Sequence, residues 1–188
     1  MQKKKDNLQL YFVALVPDEP LRSKLTELKE WMYKEYGTKA ALRSPPHITL
    51  HMPFKWKPEK ENLLEESLSA LANELTSFEV KLLNFSCFKP RVIYVGVEEN
   101  SELDKVKKKV MDVSRKVWKL DLPRDMRGFH PHITIGFRDL KKPEFFKAWD
   151  AVKDKPFESI FSVHTITLLK HNGKSWDEFK QFDFLGHS

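Results

Sequence analysis

Two phrases in the chain nearly repeat each other. One runs Ser44-Pro45-Pro46-His47-Ile48-Thr49-Leu50 and the other His130-Pro131-His132-Ile133-Thr134-Ile135, with His47 and His132 85 residues apart. Each contains Pro-His-Ile-Thr followed by an aliphatic residue. Histidine titrates near neutrality, so of two imidazoles at one site, one can stand as free base and the other as imidazolium. On opposite sides of a phosphorus atom, one ring takes a proton from the attacking oxygen. The other gives a proton to the departing oxygen. Threonine hydroxyls beside them donate hydrogen bonds to the nonbridging phosphate oxygens, where charge grows in the transition state. Each proton transfer contributes about 10²–10⁴-fold, and the scheme calls for no metal and no cofactor.

A single His-x-Thr is common by chance; the repetition is what carries information. Residues i and i+2 of a strand share a face. His47 and Thr49 therefore point one way and Ile48 and Leu50 the other. His132 and Thr134 pair in the same manner, against Ile133 and Ile135. The aliphatic residues suit a core, and the polar ones suit a solvent-reached surface. The bland alternative is two structural histidines, each hydrogen-bonded within its own sheet. His164-Thr165 is a further His-Thr neighbour pair, with no repeated counterpart.

The surrounding elements repeat too. A strand "YFVALV", a helix over "PDEPLRSKLTELKEWMYKEYG" and a proline loop lead to His47. A strand "VIYVGV", a helix over "SELDKVKKKVMDVSRKVWKL" and a loop with Pro123 lead to His132. Tyr11 lies 36 residues before His47, and Tyr94 lies 38 before His132. Leu21, Leu25, Leu28 and Met32 have helical spacing, with Gly37 as the stop; Ser101 is the expected cap of the second helix. A further helix begins at Pro58, and "FEVKLLNFSCF" reads as a strand. A short helix covers "PEFFKAWDAV". Near the end, "FESIFSVHTITLLK" and "WDEFKQFDF" read as strands joined by a turn at "HNGK". An internal duplication explains the repeat economically, and duplicated units pack about a pseudo-two-fold axis. That axis would turn both polar faces into one cleft. No linker separates the units, so residues 1–188 are expected to form one bilobal domain, with 1–7 as a solvated tail.

Bulk composition fits this scale. The chain has 188 residues, 40% hydrophobic and 32% charged, with a net charge of +6. The positive balance weakly favours an anionic partner such as RNA or a nucleotide. No apolar run approaches the roughly 20 residues that cross a bilayer, and no secretory signal follows the basic start. The single Cys87 offers neither an internal disulfide nor a zinc cluster. These features point to the cytoplasm and away from membranes. Nothing in the helices suggests a coiled coil or an obligate protein partner, so a monomer is the expectation.

His51 shares the strand face of His47 and Thr49 by alternation, and His130 shares that of His132. Four converging imidazoles raise a metal-binding alternative. Against it, the duplicate of His51 is Gly136 and that of His130 is Pro45, so neither belongs to the repeated design. The expectation is therefore no metal, with these two rings tuning the cleft or capping strands. Phe12 and Phe88 are candidate base-stacking rings at the cleft rim, and Trp56, among lysines, is an exposed one. Arg43, Lys55, Lys57, Arg91, Arg127 and Arg138 are candidate phosphate contacts.

The paired His47-Ile48-Thr49 and His132-Ile133-Thr134 resemble the two signatures of the 2H phosphoesterase superfamily, in its 2′-5′ RNA ligase-like and RNA 2′,3′-cyclic phosphodiesterase branch. The resemblance extends to "LYFVALVP", "SPPHITLHMPF" and "KPRVIYVGVE". It implies an α+β fold of two pseudo-symmetric lobes, each a mainly antiparallel sheet flanked by helices, with the active-site cleft between them. It implies His47 and His132 as the acid–base pair, with His132 as base towards water and His47 as acid. Thr49 and Thr134 become the phosphate-binding hydroxyls. Among the cations it favours Lys55 and Arg91; relatives carry an Arg soon after the second motif, where this chain has Arg138 two residues further on. The implied substrate is RNA or a nucleotide with a 2′,3′-cyclic phosphate or a 2′-5′ linkage. The implied reaction is hydrolysis, with reversible ligation as the same chemistry. A binding module with the same cleft and little turnover is the alternative.

Overall fold

The structure is a computed structural model and describes residues 8–121 and 128–185. The tail 1–7, Pro123 and Arg127 lie outside the described residues.

The first repeat unit is β1 (Gln9–Leu15), α1 (Leu21–Tyr36) and β2 (Ile48–Trp56), followed by α2 (Glu61–Ala72) and β3 (Phe78–Phe88). The second is β4 (Val92–Val97), α3 (Ser101–Lys116) and β5 (His132–Gly136), followed by α4 (Lys142–Val152). Then come β6 (Glu158–Val163), β7 (Thr165–His171) and β8 (Trp176–Asp183). The described strands form one antiparallel sheet in the order β6-β3-β4-β5-β2-β1-β7-β8. The fold is α+β, as expected. What differs is that the two half-sheets are continuous. They join where β2 meets β5, through the pair Ile48↔Ile133.

Reading outward from that seam, β2 and β5 are followed by β1 and β4, so the repeated strands occupy equivalent places. The helices cross over. α1 leaves β1 but packs across β5, and α3 leaves β4 but packs across β2. Each half is therefore covered partly by a helix from the other repeat. Ile48, Leu50, Ile133 and Ile135 are fully buried on the helix side. Burying such side chains stabilises by about 1.5–3 kcal/mol each, which fixes which face of each strand turns inward. The opposite face carries the alternating polar residues.

Local stops follow residue chemistry. Gly37 ends α1 in the left-handed region, φ 73°, with its N–H donating to the Tyr33 carbonyl at 2.9 Å. The cap of α3 is Asn100 rather than Ser101: its side chain accepts from the Leu103 N–H at 3.0 Å. Asn100 has extended backbone and a carbonyl within reach of that N–H, which is what a cap needs. The run "FESIFSVHTITLLK" is two strands, not one. It breaks at His164, so that β6 joins β3 in one half while β7 joins β1 in the other. An unbroken β-type pattern carries no mark of that crossing. His164 pairs with Asp18 at 3.2 Å at this break. No described helix is long and apolar enough to cross a membrane.

Candidate active site

Because β2 and β5 are antiparallel and pair at Ile48↔Ile133, extending the register by one residue sets His47 across from Thr134 and Thr49 across from His132. Directly opposite residues on antiparallel strands have Cβ atoms about 4.5–5.5 Å apart. Two imidazoles and two hydroxyls thus form a diagonal arrangement about one point on the open face of the sheet. All four side chains are partly reached by solvent.

The two rings are held alike. His47 Nδ1 meets the Pro45 carbonyl at 2.7 Å, and His132 Nδ1 meets the His130 carbonyl at 2.7 Å. A carbonyl only accepts, so each Nδ1 carries the proton and each Nε2 is the nitrogen left for exchange. In both copies the anchoring residue is followed by a proline, Pro46 or Pro131. Proline fixes its own φ and holds the residue before it extended. The proline of each phrase accordingly serves to present the carbonyl that selects the tautomer.

An aromatic ring backs each histidine. Phe12 from β1 lies 4.8 Å from the His47 ring, tilted by 45°, and Tyr94 from β4 lies 4.7 Å from the His132 ring, tilted by 46°. Each of these rings has a further neighbour. Trp176 of β8 meets Phe12 edge-on at 4.7 Å, and Phe88 of β3 lies 4.7 Å from Tyr94 and 5.3 Å from His132.

Both imidazoles are held below the usual histidine range. Burial pushes His47 down to about 4, and the Lys29 charge adds to it against the opposing Pro45 carbonyl; His132 adds to it once that ring is protonated. Burial is also the main cause for His132, with His130 adding to it and the His130 carbonyl opposing. Both rings are therefore neutral at pH 7 in the free protein, with Nε2 available as a base. An incoming phosphate raises the affinity of either ring for a proton.

The sequence pattern that defines the 2′-5′ RNA ligase superfamily matches residues 16–175. The chain belongs to that superfamily. A putative phosphoesterase of Geobacillus kaustophilus (strain HTA426) is 31% identical over 153 residues, spanning 79% of this chain and 83% of its own length. An RNA 2′,3′-cyclic phosphodiesterase of Archaeoglobus fulgidus is 31% identical over 137 residues, spanning 71% of this chain and 74% of its own. Among solved structures, E. coli LigT in apo form matches with a TM-score of 0.65 at 21% identity, covering 95% of this chain and 98% of that one. The protein TT0787 of Thermus thermophilus matches with a TM-score of 0.67 at 20% identity, covering 96% and 100%. At such identities the structural matches speak for the fold. The 2H phosphoesterase resemblance of the two phrases is thus upheld at the level of the family.

The remaining candidates of this 2H phosphoesterase fall into different places. Phe88 is 41% exposed and lies edge-on to His132. Arg91 is exposed in the adjoining turn, its N–H donating to the Phe88 carbonyl at 3.0 Å. Phe12 is only 3% exposed, because His47 and Trp176 cover it; it supports the catalytic-type ring and has no free face for a base. Lys55 pairs with Leu10 at the far end of β2, six residues past Thr49, which is about 20 Å along a strand and too far to reach the histidines. Lys57 follows β2 at that same end. Trp56 is half-buried there, packed on the core with its Nε1–H donating to the Lys60 carbonyl at 2.8 Å. Arg138 lies beyond β5 with φ 56°, exposed, its guanidinium over Phe137 at 5.1 Å.

His51 corrects a further expectation. The β1–β2 register runs Ala14↔Thr49 and then Val13↔His51, so one extra residue of β2 is accommodated between these pairs. Such a bulge reverses the alternation beyond it. His51 turns into the core, 0% exposed, with Nε2 at 2.8 Å from Ser114 Oγ of α3 and Nδ1 at 2.7 Å from the Met52 carbonyl. The four imidazoles do not converge, and among the described residues no group of three His, Cys, Asp or Glu is placed to hold a metal ion.

Three residues beside the histidines were missed by sequence reasoning. Tyr94 served only as a repeat marker, although it backs His132. Trp176 enters the sequence pattern only as part of a strand. Lys29 is 2% exposed and presses electrostatically on His47. A signal for it existed: position 29 is four after Leu25 and three before Met32, on the buried stripe of α1.

Proposed function

We propose that this 2H phosphoesterase hydrolyses a 2′,3′-cyclic phosphate, or a related 2′-5′ phosphodiester, of RNA or a nucleotide. The observation carrying this reading is the matched anchoring of His47 and His132 on either side of the Ile48–Ile133 seam, each with Nε2 unspent among the described residues. One Nε2 takes a proton from water as its oxygen attacks phosphorus. The P–O bond to the leaving ribose oxygen breaks, and the other ring, charged once the anionic substrate is bound, supplies that oxygen with a proton. Thr49 and Thr134 donate to the nonbridging oxygens. The near-symmetry lets the two rings exchange roles, and an RNA 5′-hydroxyl in place of water turns hydrolysis into ligation. The likeness to a relative named RNA 2′,3′-cyclic phosphodiesterase supports the substrate class.

The test is turnover of nucleoside 2′,3′-cyclic phosphates and 2′-5′ linked oligonucleotides by wild type, His47→Ala and His132→Ala, with and without EDTA. Loss of several orders of magnitude in each variant, with the fold intact and no effect of EDTA, is the expected result. Wild-type rates in both variants would end the two-histidine reading; zinc-restored loss in EDTA would replace it with metal chemistry.

A further inference from the structure

Against residues 44–46, which lead into His47, lies an open cavity of about 450 Å³, within the usual range for small-molecule sites. Its walls come from α1, the loop before His47 and the start of β8, with Lys29, Arg43, Arg22, Pro45 and Trp176 among them. It adjoins the proposed reaction centre twice over. The Pro45 carbonyl holds the His47 ring, and Trp176 leans on Phe12, which leans on His47.

The charges on these walls are unbalanced in a specific way. Lys29 is 2% exposed, and its ammonium donates to the Ser44 carbonyl at 3.1 Å, with no carboxylate partner among the described residues. Burial and the nearby Arg22 charge push it down to about 7. Buried charges are ordinarily paired, because an unpaired one loses its hydration without replacement. Arg22 is already matched by Glu178, while the other carboxylate of the wall, Asp177, accepts from the neutral amide of Asn172 at 3.0 Å and keeps its charge, turned to that amide and not to Lys29 or Arg43. Arg43 is exposed and has no ion-pair partner among the described residues. Lys29 and Arg43 thus both line one cavity without a carboxylate in contact among the described residues, with an indole at its side.

We infer that this cavity receives a second phosphate group of the substrate, held by Lys29 and Arg43, with the attached base against Trp176. The inference rests on the phosphodiester reading above and narrows it: the preferred substrate carries another phosphate besides the one attacked. That phosphate is either the 5′-phosphate of a mononucleotide or the internucleotide phosphodiester of an RNA end. Either anion supplies the missing counter-charge to Lys29, and a phosphate accepts from ammonium and guanidinium together.

The experiment compares kcat/KM for three substrates: adenosine 2′,3′-cyclic phosphate, its 5′-phosphorylated form, and the dinucleotide ApA ending in a 2′,3′-cyclic phosphate. Wild type is expected to favour one or both phosphate-bearing substrates by about tenfold or more, the size of a lost charged hydrogen bond. Preference for the mononucleotide or the dinucleotide names the source of the phosphate. The ratio should fall towards one in Lys29→Met and in Arg43→Ala; Arg43 is at the surface, so its variant tests the idea even if the buried one folds poorly. Equal kcat/KM for all three in wild type, or a preference that survives both substitutions, overturns the inference. Calorimetric titration with adenosine 3′,5′-bisphosphate separates it from the catalytic reading. Binding weakened tenfold or more by Lys29→Met and by Arg43→Ala supports the cavity even without turnover, and binding indifferent to both cations overturns it.

Discussion

Ile48 of β2 and Ile133 of β5 are direct cross-strand partners, both fully buried, and each is the middle residue of a His-Ile-Thr phrase. The spacing of the two catalytic-type pairs is therefore set by packing beneath the sheet, at the one described pair where the two half-sheets meet. Replacing Ile133 by Ala should cost about 2–5 kcal/mol of stability, as core truncations do. Ile135→Ala, one step from the seam on the same face, should cost a similar amount. The two variants should part in activity: kcat at a temperature where both are folded should fall at least tenfold further for Ile133→Ala. Urea denaturation and steady-state kinetics on a cyclic phosphate measure both. Equal kcat in the two would show that the seam does not set the geometry of the site.

Thr49 and Thr134 occupy corresponding places across the seam, paired in register with Ala14 and Tyr94. If both donate to nonbridging oxygens, Thr→Val at either position removes a donor while keeping the shape. Each single change should lower kcat by about 10–100-fold with a smaller change in KM, because the bond strengthens as charge develops. A rise in KM alone, with kcat retained, would assign the hydroxyls to ground-state binding.

What was readable in the sequence was whatever depends on period and repetition. The strand–helix–strand units, the pairing of His with Thr on one face, and the burial of Ile48 and Ile133 follow from alternation and helical spacing. What was not readable depends on events that break the period. The bulge opposite Val13 and Ala14 sends His51 inward, and nothing in "HITLHM" marks it. The passage of the chain from one half-sheet to the other at His164 interrupts no apolar pattern. The distance of Lys55 from the centre follows from the strand's course after the motif, which local spacing does not encode. Lys29 was readable in hindsight, since a charge on an apolar stripe is a local rule broken, and such breaks gather at functional sites.

His51 gives a pH prediction with a definite sign. Burial first, and then the Lys107 charge, push it down to about 4, against the opposing Met52 carbonyl. Below the ordinary value near 6.5 the unfolded chain takes up a proton that the folded chain refuses. Stability should therefore fall as pH drops from about 6.5 towards 4, by about 3 kcal/mol from this residue alone. His47, depressed to about 4 as well, acts in the same direction and the same window. His51→Gln keeps a partner for Ser114 and does not titrate. Urea denaturation between pH 4.5 and 7 should show its slope reduced by about 1.4 kcal/mol per pH unit. An unchanged slope would mean that His51 is charged in the fold.

Lys29 is held down to about 7, from an ordinary 10.5. Between those values the unfolded chain keeps the lysine proton more firmly than the folded chain does. Stability thus declines as pH falls from 10.5 to 7, and the deficit is fully present below 7. Lys29→Met replaces the ammonium by an apolar group of similar length, and a buried charge exchanged for a packed apolar side chain is often stabilising. Allowing about 1 kcal/mol for the lost bond to the Ser44 carbonyl, the variant should gain about 2–4 kcal/mol at pH 7 and much less at pH 10. Calorimetric melting at the two pH values reads this directly. The same substitution should also raise the proton affinity of His47, whose largest depressing charge it removes, and so move the acidic limb of the kcat/KM profile upward. A more stable variant that discriminates less between substrates is the behaviour of a side chain kept at the expense of the fold, for the anion it binds. A less stable variant at pH 7, with the acidic limb unmoved, would instead mark Lys29 as a structural tie between α1 and the loop at Ser44.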